Sequence, residues 1–124
     1  MAKSIKHIFK ETGSYKVNGS LWIDFGENHF FGPGRAELLE RIDQTGSINQ
    51  AAKQMSMSYK KAWEMITMLN TQARRPLVIL HVGGERGGGA KITNEAKELI
   101  TFHRFLRERF TAFLEKETRN LLEL

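Results

Sequence analysis

The most constraining feature of this chain is a succession of three helical patterns followed by two strand-like runs. Apolar residues recur at helical spacing over 35–45, 48–55 and 59–72. The run L-V-I-L-H-V at 77–82 and the run A-K-I at 90–92 then flank a glycine-rich segment, G-G-E-R-G-G-G. This order predicts three helices followed by a two-stranded hairpin.

Glycine and small polar residues mark the helix ends. Gly46 provides a C-terminal stop for the first helix, and Ser47 is a good N-cap for the second. The turn Ser56-Met57-Ser58 separates the second helix from the third, which Ser58 caps. A short helix, a three-residue turn and a longer helix have the spacing of a helix-turn-helix. We therefore predict an α+β, mainly α, winged helix-turn-helix domain at 33–92, with a recognition helix at 58–72 and a wing at 83–89.

The residues before this domain predict short strands. S-Y-K-V at 14–17 is followed by Asn18-Gly19, a strong hairpin signal. L-W-I-D-F at 21–25 alternates between apolar and polar faces, and Gly26-Glu27-Asn28 forms a second turn before H-F-F. We predict a small N-terminal β-meander, of about three strands, in a hairpin segment at 1–32.

The residues after the domain predict one long helix. Thr93 is a suitable N-cap, and Glu95 places negative charge in the first turn. At roughly 25 residues the helix exceeds what a small domain needs to cover its core, and its apolar residues follow an a/d-like spacing. We predict that 93–124 pairs with its two-fold mate in a homodimer that reads half-sites about 34 Å apart, or a multiple of that. The predicted dimerisation residues are Leu99, Phe102, Leu106, Phe110 and Phe113.

The positive charge of the chain lies in the helix-turn-helix region. The 124 residues carry 19 Lys and Arg against 14 Asp and Glu, a net charge of +5. Residues 1–46 and 92–124 each hold six basic and six acidic side chains, whereas 47–91 hold seven basic and two acidic ones. Because basic side chains neutralise phosphates, this excess indicates double-stranded DNA as the partner. The candidate DNA-binding residues are Ser47, Asn49, Ser58, Tyr59, Lys60, Lys61, Trp63, Arg86 and Lys91.

The candidates differ in the contacts they suit. Lys60 and Lys61 can contact phosphates or guanine edges, and Arg86 can reach phosphates or the minor groove. Tyr59 lies on the apolar stripe of the third helix, so we expect it to be partly buried with its hydroxyl near the DNA backbone. Trp63 is one position off that stripe, and it either packs against the N-terminal meander or lies at the DNA edge.

No catalytic or metal-binding set is evident. The chain has no Cys, its four His lack ligand spacing, and the glycine-rich loop lacks the Lys-Ser/Thr ending of a P-loop. We expect a protein that is not an enzyme and needs no cofactor or metal. No apolar run approaches the roughly 20 residues of a membrane span, and no signal peptide is evident, so we expect a cytoplasmic protein without a membrane partner.

Four segments together resemble the N-terminal DNA-binding domain of the molybdate-responsive ModE regulators. They are G-P-G-R-A-E-L-L-E-R-I, G-S-I-N-Q-A-A, S-Y-K-K-A-W-E-M-I and G-G-E-R-G-G-G-A-K-I-T, and the helix-turn-helix also resembles the broader LysR-type winged helix. The resemblance extends from about Tyr15 to Leu114. It implies a homodimer through the long helix and DNA binding by the S-Y-K-K-A-W helix and the wing. Two departures are Glu85-Arg86 among the wing glycines and Ala96, where related proteins often carry Gly.

The resemblance leaves the effector unassigned. In that family molybdate binds in C-terminal oligobinding-like domains, which we do not expect before Leu124, and no grouping of Lys and Arg indicates an oxyanion pocket. Two functions follow. The first is a homodimeric, sequence-specific DNA-binding transcriptional regulator. Its operator sequence, and whether it activates or represses transcription, stay open. The second is a ligand- or protein-interaction module on a winged-helix scaffold, including one that responds to molybdate.

Overall fold

A computed structural model describes residues 4–82 and 89–123. A 3-10 helix at Lys6–Ile8 precedes the regular elements. These are β1 (Ile23–Phe25), β2 (Asn28–Phe31), α1 (Pro33–Thr45), α2 (Ile48–Gln54), α3 (Tyr59–Gln72), β3 (Val78–His81), β4 (Gly89–Ile92) and α4 (Asn94–Glu123). The strands pair as two small antiparallel sheets, β1 with β2 and β3 with β4. The predicted mainly α, α+β winged helix-turn-helix fold with a long last helix is confirmed.

The chain divides into two compact units. One unit is Trp22–His103, which contains both sheets, α1 to α3 and the first part of α4. The other combines the residues up to Leu21 with those from Arg104 onward, including the rest of α4. In this second unit the Val17 amide donates a hydrogen bond to Thr118 Oγ1 at 2.8 Å.

Helix α1 forms where the sequence predicts it, beginning two residues earlier. Pro33 occupies its first turn, where the missing N–H costs no hydrogen bond. The helix ends at Gly46, which adopts a left-handed conformation (φ 71°) and donates its N–H to Ile42 O at 2.7 Å. Its buried face comprises the four predicted residues, Ala36, Leu38, Leu39 and Ile42.

The two helices of the turn motif begin at the predicted caps. Ser47 Oγ accepts the Gln50 N–H at 3.1 Å, and Ser58 Oγ accepts the Lys61 N–H at 3.0 Å. Between them Ser56 adopts a positive φ of 54°, which lets the chain reverse in three residues. Small side chains, Ala51, Ala52 and Ala62, are fully buried between α1, α2 and α3, which allows these helices to approach closely.

One hydrophobic core lies in the unit Trp22–His103. It joins the buried faces of α1, α2 and α3 to β2, to the wing strands and to the start of α4. Its largest fully buried side chains are Phe31, Leu38, Leu39, Ile42, Leu69 and His103. His103 packs edge-on against the Phe31 ring, with centroids 5.1 Å apart. The core fixes the orientation of α3 relative to α1 and the wing strands.

The N-terminal strands differ in part from the prediction. The turn at Gly26 is confirmed, with φ 61°, and it joins β1 to β2. The strand expected over 14–17 and its Asn18-Gly19 hairpin are wrong, because these residues form no strand. The Val17 amide instead donates to Thr118 Oγ1 on α4.

Helix α4 is longer than expected, at 30 residues. Thr93 caps it as predicted, since Thr93 Oγ1 accepts the Ala96 N–H at 3.2 Å. Its buried residues are Ala96, Ile100 and His103, which lie on a different face from the predicted apolar seam. Within the described residues, no helix is long and apolar enough to cross a membrane.

Candidate nucleic-acid interface

Helix α3 is held by one apolar face and presents the other to solvent. Ala62, Ile66 and Leu69 are buried in the core. The first turn carries Lys60, opposite the buried face, and Lys61, beside it, and both side chains are exposed. The fold therefore presents two adjacent positive charges at the N-terminal end of α3.

The two aromatic residues of α3 lie on the surface. Tyr59 is 52% exposed and Trp63 is 39% exposed, and their rings are nearly parallel with centroids 6.3 Å apart. Tyr59, expected to be partly buried on the apolar stripe, is half exposed and does not join the buried residues Ala62, Ile66 and Leu69. Tyr59 packs on Trp63 instead, so both rings are available to a ligand.

A groove beside the start of α3 brings several predicted site residues together. Its volume is about 310 Å³, and it is lined by residues 47–49, Tyr59, residues 80–82 and residues 89–90. Ser47, Asn49 and Tyr59 thus share one cleft with the wing strands. The other predicted residues, Ser58, Lys60, Lys61, Trp63 and Lys91, lie outside the lining of this groove.

The wing strands are tied to the helices by hydrogen bonds. The Asn70 side chain of α3 accepts the Leu77 and Val78 amides through Oδ1, at 2.8 and 3.1 Å, and donates from Nδ2 to Val78 O at 3.1 Å. On the other strand, the Ala90 amide donates to Gly46 O at the end of α1, at 3.0 Å. These bonds fix β3 and β4 relative to the turn motif. The predicted wing tip, including Arg86, lies outside the described residues.

In the unit Trp22–His103, some basic side chains contact oxygen atoms of the protein and others form no ion pair. Arg35 donates to the backbone oxygens of His29 and Phe30, the latter at 2.8 Å, and its partial burial lowers its pKa from the ordinary value. Arg41 contacts Glu37 at 3.3 Å and Gln54 at 2.9 Å. Among the described residues, Lys60, Lys61 and Lys91 have no acidic partner within 4.0 Å. Lys53 on α2, Arg74 and Arg75 after α3, and Lys97 on α4 are likewise exposed and have no such partner among the described residues.

The predicted dimerisation residues have unequal exposure. Phe102 and Phe113 are 54% and 53% exposed, and Phe105, which the apolar spacing did not include, is 54% exposed. Leu99 packs partly against the core, whereas Phe110 lies near Gly19 and stacks with Phe113 at 6.5 Å. Leu106 is half-buried. The exposed apolar surface of α4 therefore centres on three phenylalanines.

The sequence did not predict the roles of three wing-strand residues at the groove or of Asn70 on α3. Leu80, His81 and Val82 line the groove and are exposed, although none of them is among the predicted DNA-binding residues. A two-stranded wing cannot cover both of its faces, which is the signal that identifies them as exposed. Asn70 was also missed, because its partners lie seven and eight residues away and no periodicity marks them.

The geometry of the described residues defines a winged helix-turn-helix domain that exposes two lysines at the start of α3. Within the described residues, no group of His, Asp and Glu side chains could hold a metal ion. No protein-family model matches the chain.

Known proteins resemble this chain over about 70% of its length. The transcriptional regulator ModE of Haemophilus influenzae is 43% identical over 86 residues, which are 69% of this chain and 34% of that protein. The DNA-binding transcriptional dual regulator ModE of Escherichia coli is 39% identical over 88 residues, 71% of this chain and 34% of that protein. The molybdenum transport protein ModE of Azotobacter vinelandii is 38% identical over 90 residues, 73% of this chain and 33% of that protein.

The chain spans about a third of the length of these curated relatives. Over that third it is a homologue of ModE, and the resemblance to the N-terminal domain of this family is confirmed.

Proposed function

We propose that this chain binds double-stranded DNA sequence-specifically as a homodimer and regulates transcription. Helix α3 enters the major groove, and the glycine-rich segment 83–89 lies against the backbone or the minor groove. In this proposal 33–92 read the DNA and 93–124 join the two protomers. Relatives named as transcriptional regulators support the general function.

The observation that carries the proposal is the pair of free lysines at the start of α3. Lys60 and Lys61 are exposed and adjacent, and no acidic side chain among the described residues neutralises them within 4.0 Å. In a helix-turn-helix, the N-terminal part of the recognition helix contacts base edges and neighbouring phosphates. Tyr59, Trp63 and the groove residues Ser47 and Asn49 supply further polar and aromatic contacts beside it.

The test compares two double variants on a DNA site selected from random sequences. Replacing Lys60 and Lys61 by Ala is expected to abolish specific binding and to leave the melting temperature nearly unchanged, because both side chains are exposed and unpaired within the described structure. Lys16→Ala with Lys97→Ala removes the same charge at exposed positions outside α3 and is expected to retain specific binding.

Retained affinity in the Lys60 and Lys61 variant would refute the assignment of α3 as the recognition helix. The absence of any DNA retardation at low salt would instead favour an interaction module. Repeating the selection with molybdate tests whether such a module, or the regulator itself, responds to this oxyanion.

A further inference from the structure

Glu64 is an acidic residue on the basic surface of α3. Residues 47–91 contain only two acidic side chains, and the other, Glu85, lies outside the described residues. Glu64 is exposed, and none of the basic side chains described by the structure lies within 4.0 Å of its carboxylate. Glu64 therefore forms no ion pair with a described residue.

The register of α3 places Glu64 opposite the core. A helix turns by about 100° per residue, so Glu64 lies nearly opposite Ala62 and Ile66, which are buried. Lys60 and Thr67 share this outward surface with it. If α3 lies in the major groove, the Glu64 carboxylate faces the edges of the bases.

A carboxylate in that position is unfavourable unless the DNA offers it a hydrogen-bond donor. Phosphates repel it, and most base edges in the major groove present acceptors, such as guanine O6 and N7. The cytosine N4 amino group is the donor that Glu side chains characteristically contact. Removing the charge would therefore have opposite effects on specific and non-specific binding.

We infer that Glu64 is a specificity-determining residue, which selects a C·G pair in each half-site by accepting a hydrogen bond from cytosine N4. This inference rests on the proposed function and deepens it. The two lysines supply affinity for any DNA, whereas Glu64 penalises sequences that lack the donor at its position.

The experiment selects DNA sites from a random pool for the wild type, Glu64→Gln and Glu64→Ala. The wild type is expected to prefer C·G at one position of each half-site by about ten-fold. Glu64→Gln is expected to prefer adenine there, because Gln pairs with adenine N6 and N7, and Glu64→Ala to show no preference. Both variants are expected to bind unrelated DNA more tightly than the wild type does.

Glu98→Gln is the matched control, since it removes one exposed negative charge from α4. It is expected to keep the wild-type base preference. If Glu64→Gln retains the wild-type preference at every position, the role of Glu64 is refuted while the DNA-binding function stands. If the wild type binds no DNA at low salt, the proposed function and this inference both fail.

Discussion

Asn70 connects α3 to the wing through a single side chain. Its three hydrogen bonds go to the backbone of Leu77 and Val78, both of which are buried. Buried amides without a partner are costly, so the loss of this side chain is expected to affect stability more than the loss of an ordinary surface residue.

We predict that Asn70→Ala lowers the free energy of unfolding by about 2 kcal/mol, because it leaves two buried amides without their acceptor. Asn70→Asp keeps the acceptor but loses the donor to Val78 O, so its effect is expected to be smaller. Urea unfolding measures both. Thr71→Ala, at the exposed neighbouring position, is the control and is expected to change stability by no more than about 0.5 kcal/mol. Equal stabilities of the Asn70→Ala and Thr71→Ala variants would contradict this role.

Local sequence signals predict residues whose role depends on near neighbours. The caps Ser47, Ser58 and Thr93 could be predicted because an N-cap acts locally. Each of them accepts a hydrogen bond from the amide three residues ahead. The helical repeat places Tyr59 on the apolar stripe, yet half of its surface is exposed, so the repeat alone does not fix how deeply a residue at the helix end is buried. The role of Asn70 depends on the return of the chain as β3, which no local pattern encodes.

At the scale of elements, the end of α1 also positions the wing. Gly46 ends the helix in a left-handed conformation, and its carbonyl accepts the Ala90 amide of β4. One glycine therefore serves both the turn into α2 and the attachment of a strand.

We predict that Gly46→Ala destabilises the protein by about 1 kcal/mol, because a Cβ is strained at positive φ. Gly34→Ala, in the first turn of the same helix, is the matched control. A Cβ at Gly34 meets nothing within 4 Å, and Ala has the higher helix propensity, so this variant is expected to be neutral or slightly stabilised. Thermal unfolding of the two variants tests the difference, and a Gly46→Ala protein as stable as Gly34→Ala would contradict it.

The sequence predicts helices α1, α2 and α3 more accurately than the N-terminal strands and α4. Helices α1, α2 and α3 combine apolar periodicity with strong end signals, so their limits agree closely with expectation. The strand expected over 14–17 is wrong although β1 forms nearby, because the Val17 amide bonds Thr118 on α4, a contact that no local turn signal encodes. In α4 the apolar residues exceed what the core covers, so periodicity alone did not distinguish Ala96 and Ile100 from the exposed phenylalanines.

At the scale of the whole molecule, the phenylalanines of α4 lead to a prediction about assembly. We expect the wild type to sediment as a dimer, and Phe102→Glu with Phe113→Glu to sediment as a folded monomer. Both rings are more than half exposed, so placing charge there disrupts association more than folding. Thr101→Glu, at an exposed neighbouring position, is expected to leave the dimer intact. Sedimentation equilibrium checks this, and a monomeric wild type would rule out the homodimer.

The distribution of charge over the whole chain also bears on function. The flanking segments are balanced, and the net charge of +5 lies entirely in 47–91, which includes α2, α3 and the wing strands. Of these residues, Lys60, Lys61 and Lys91 project from the described structure without acidic partners. A surface of this kind is expected to bind DNA with a strong dependence on salt.

The salt dependence of DNA binding tests the central claim most directly. The association constant for an unrelated double-stranded DNA, to which binding depends on phosphate contacts, is measured from low to physiological salt for the wild type and for the variant with Lys60 and Lys61 replaced by Ala. We predict that log K falls linearly with log salt concentration, with a slope of about 0.9 in magnitude per phosphate neutralised. The variant lacks two phosphate contacts, so its slope is expected to be smaller in magnitude by about 1.8. Wild-type binding that does not depend on salt, or equal slopes for the two proteins, would contradict the proposal that α3 is the recognition helix.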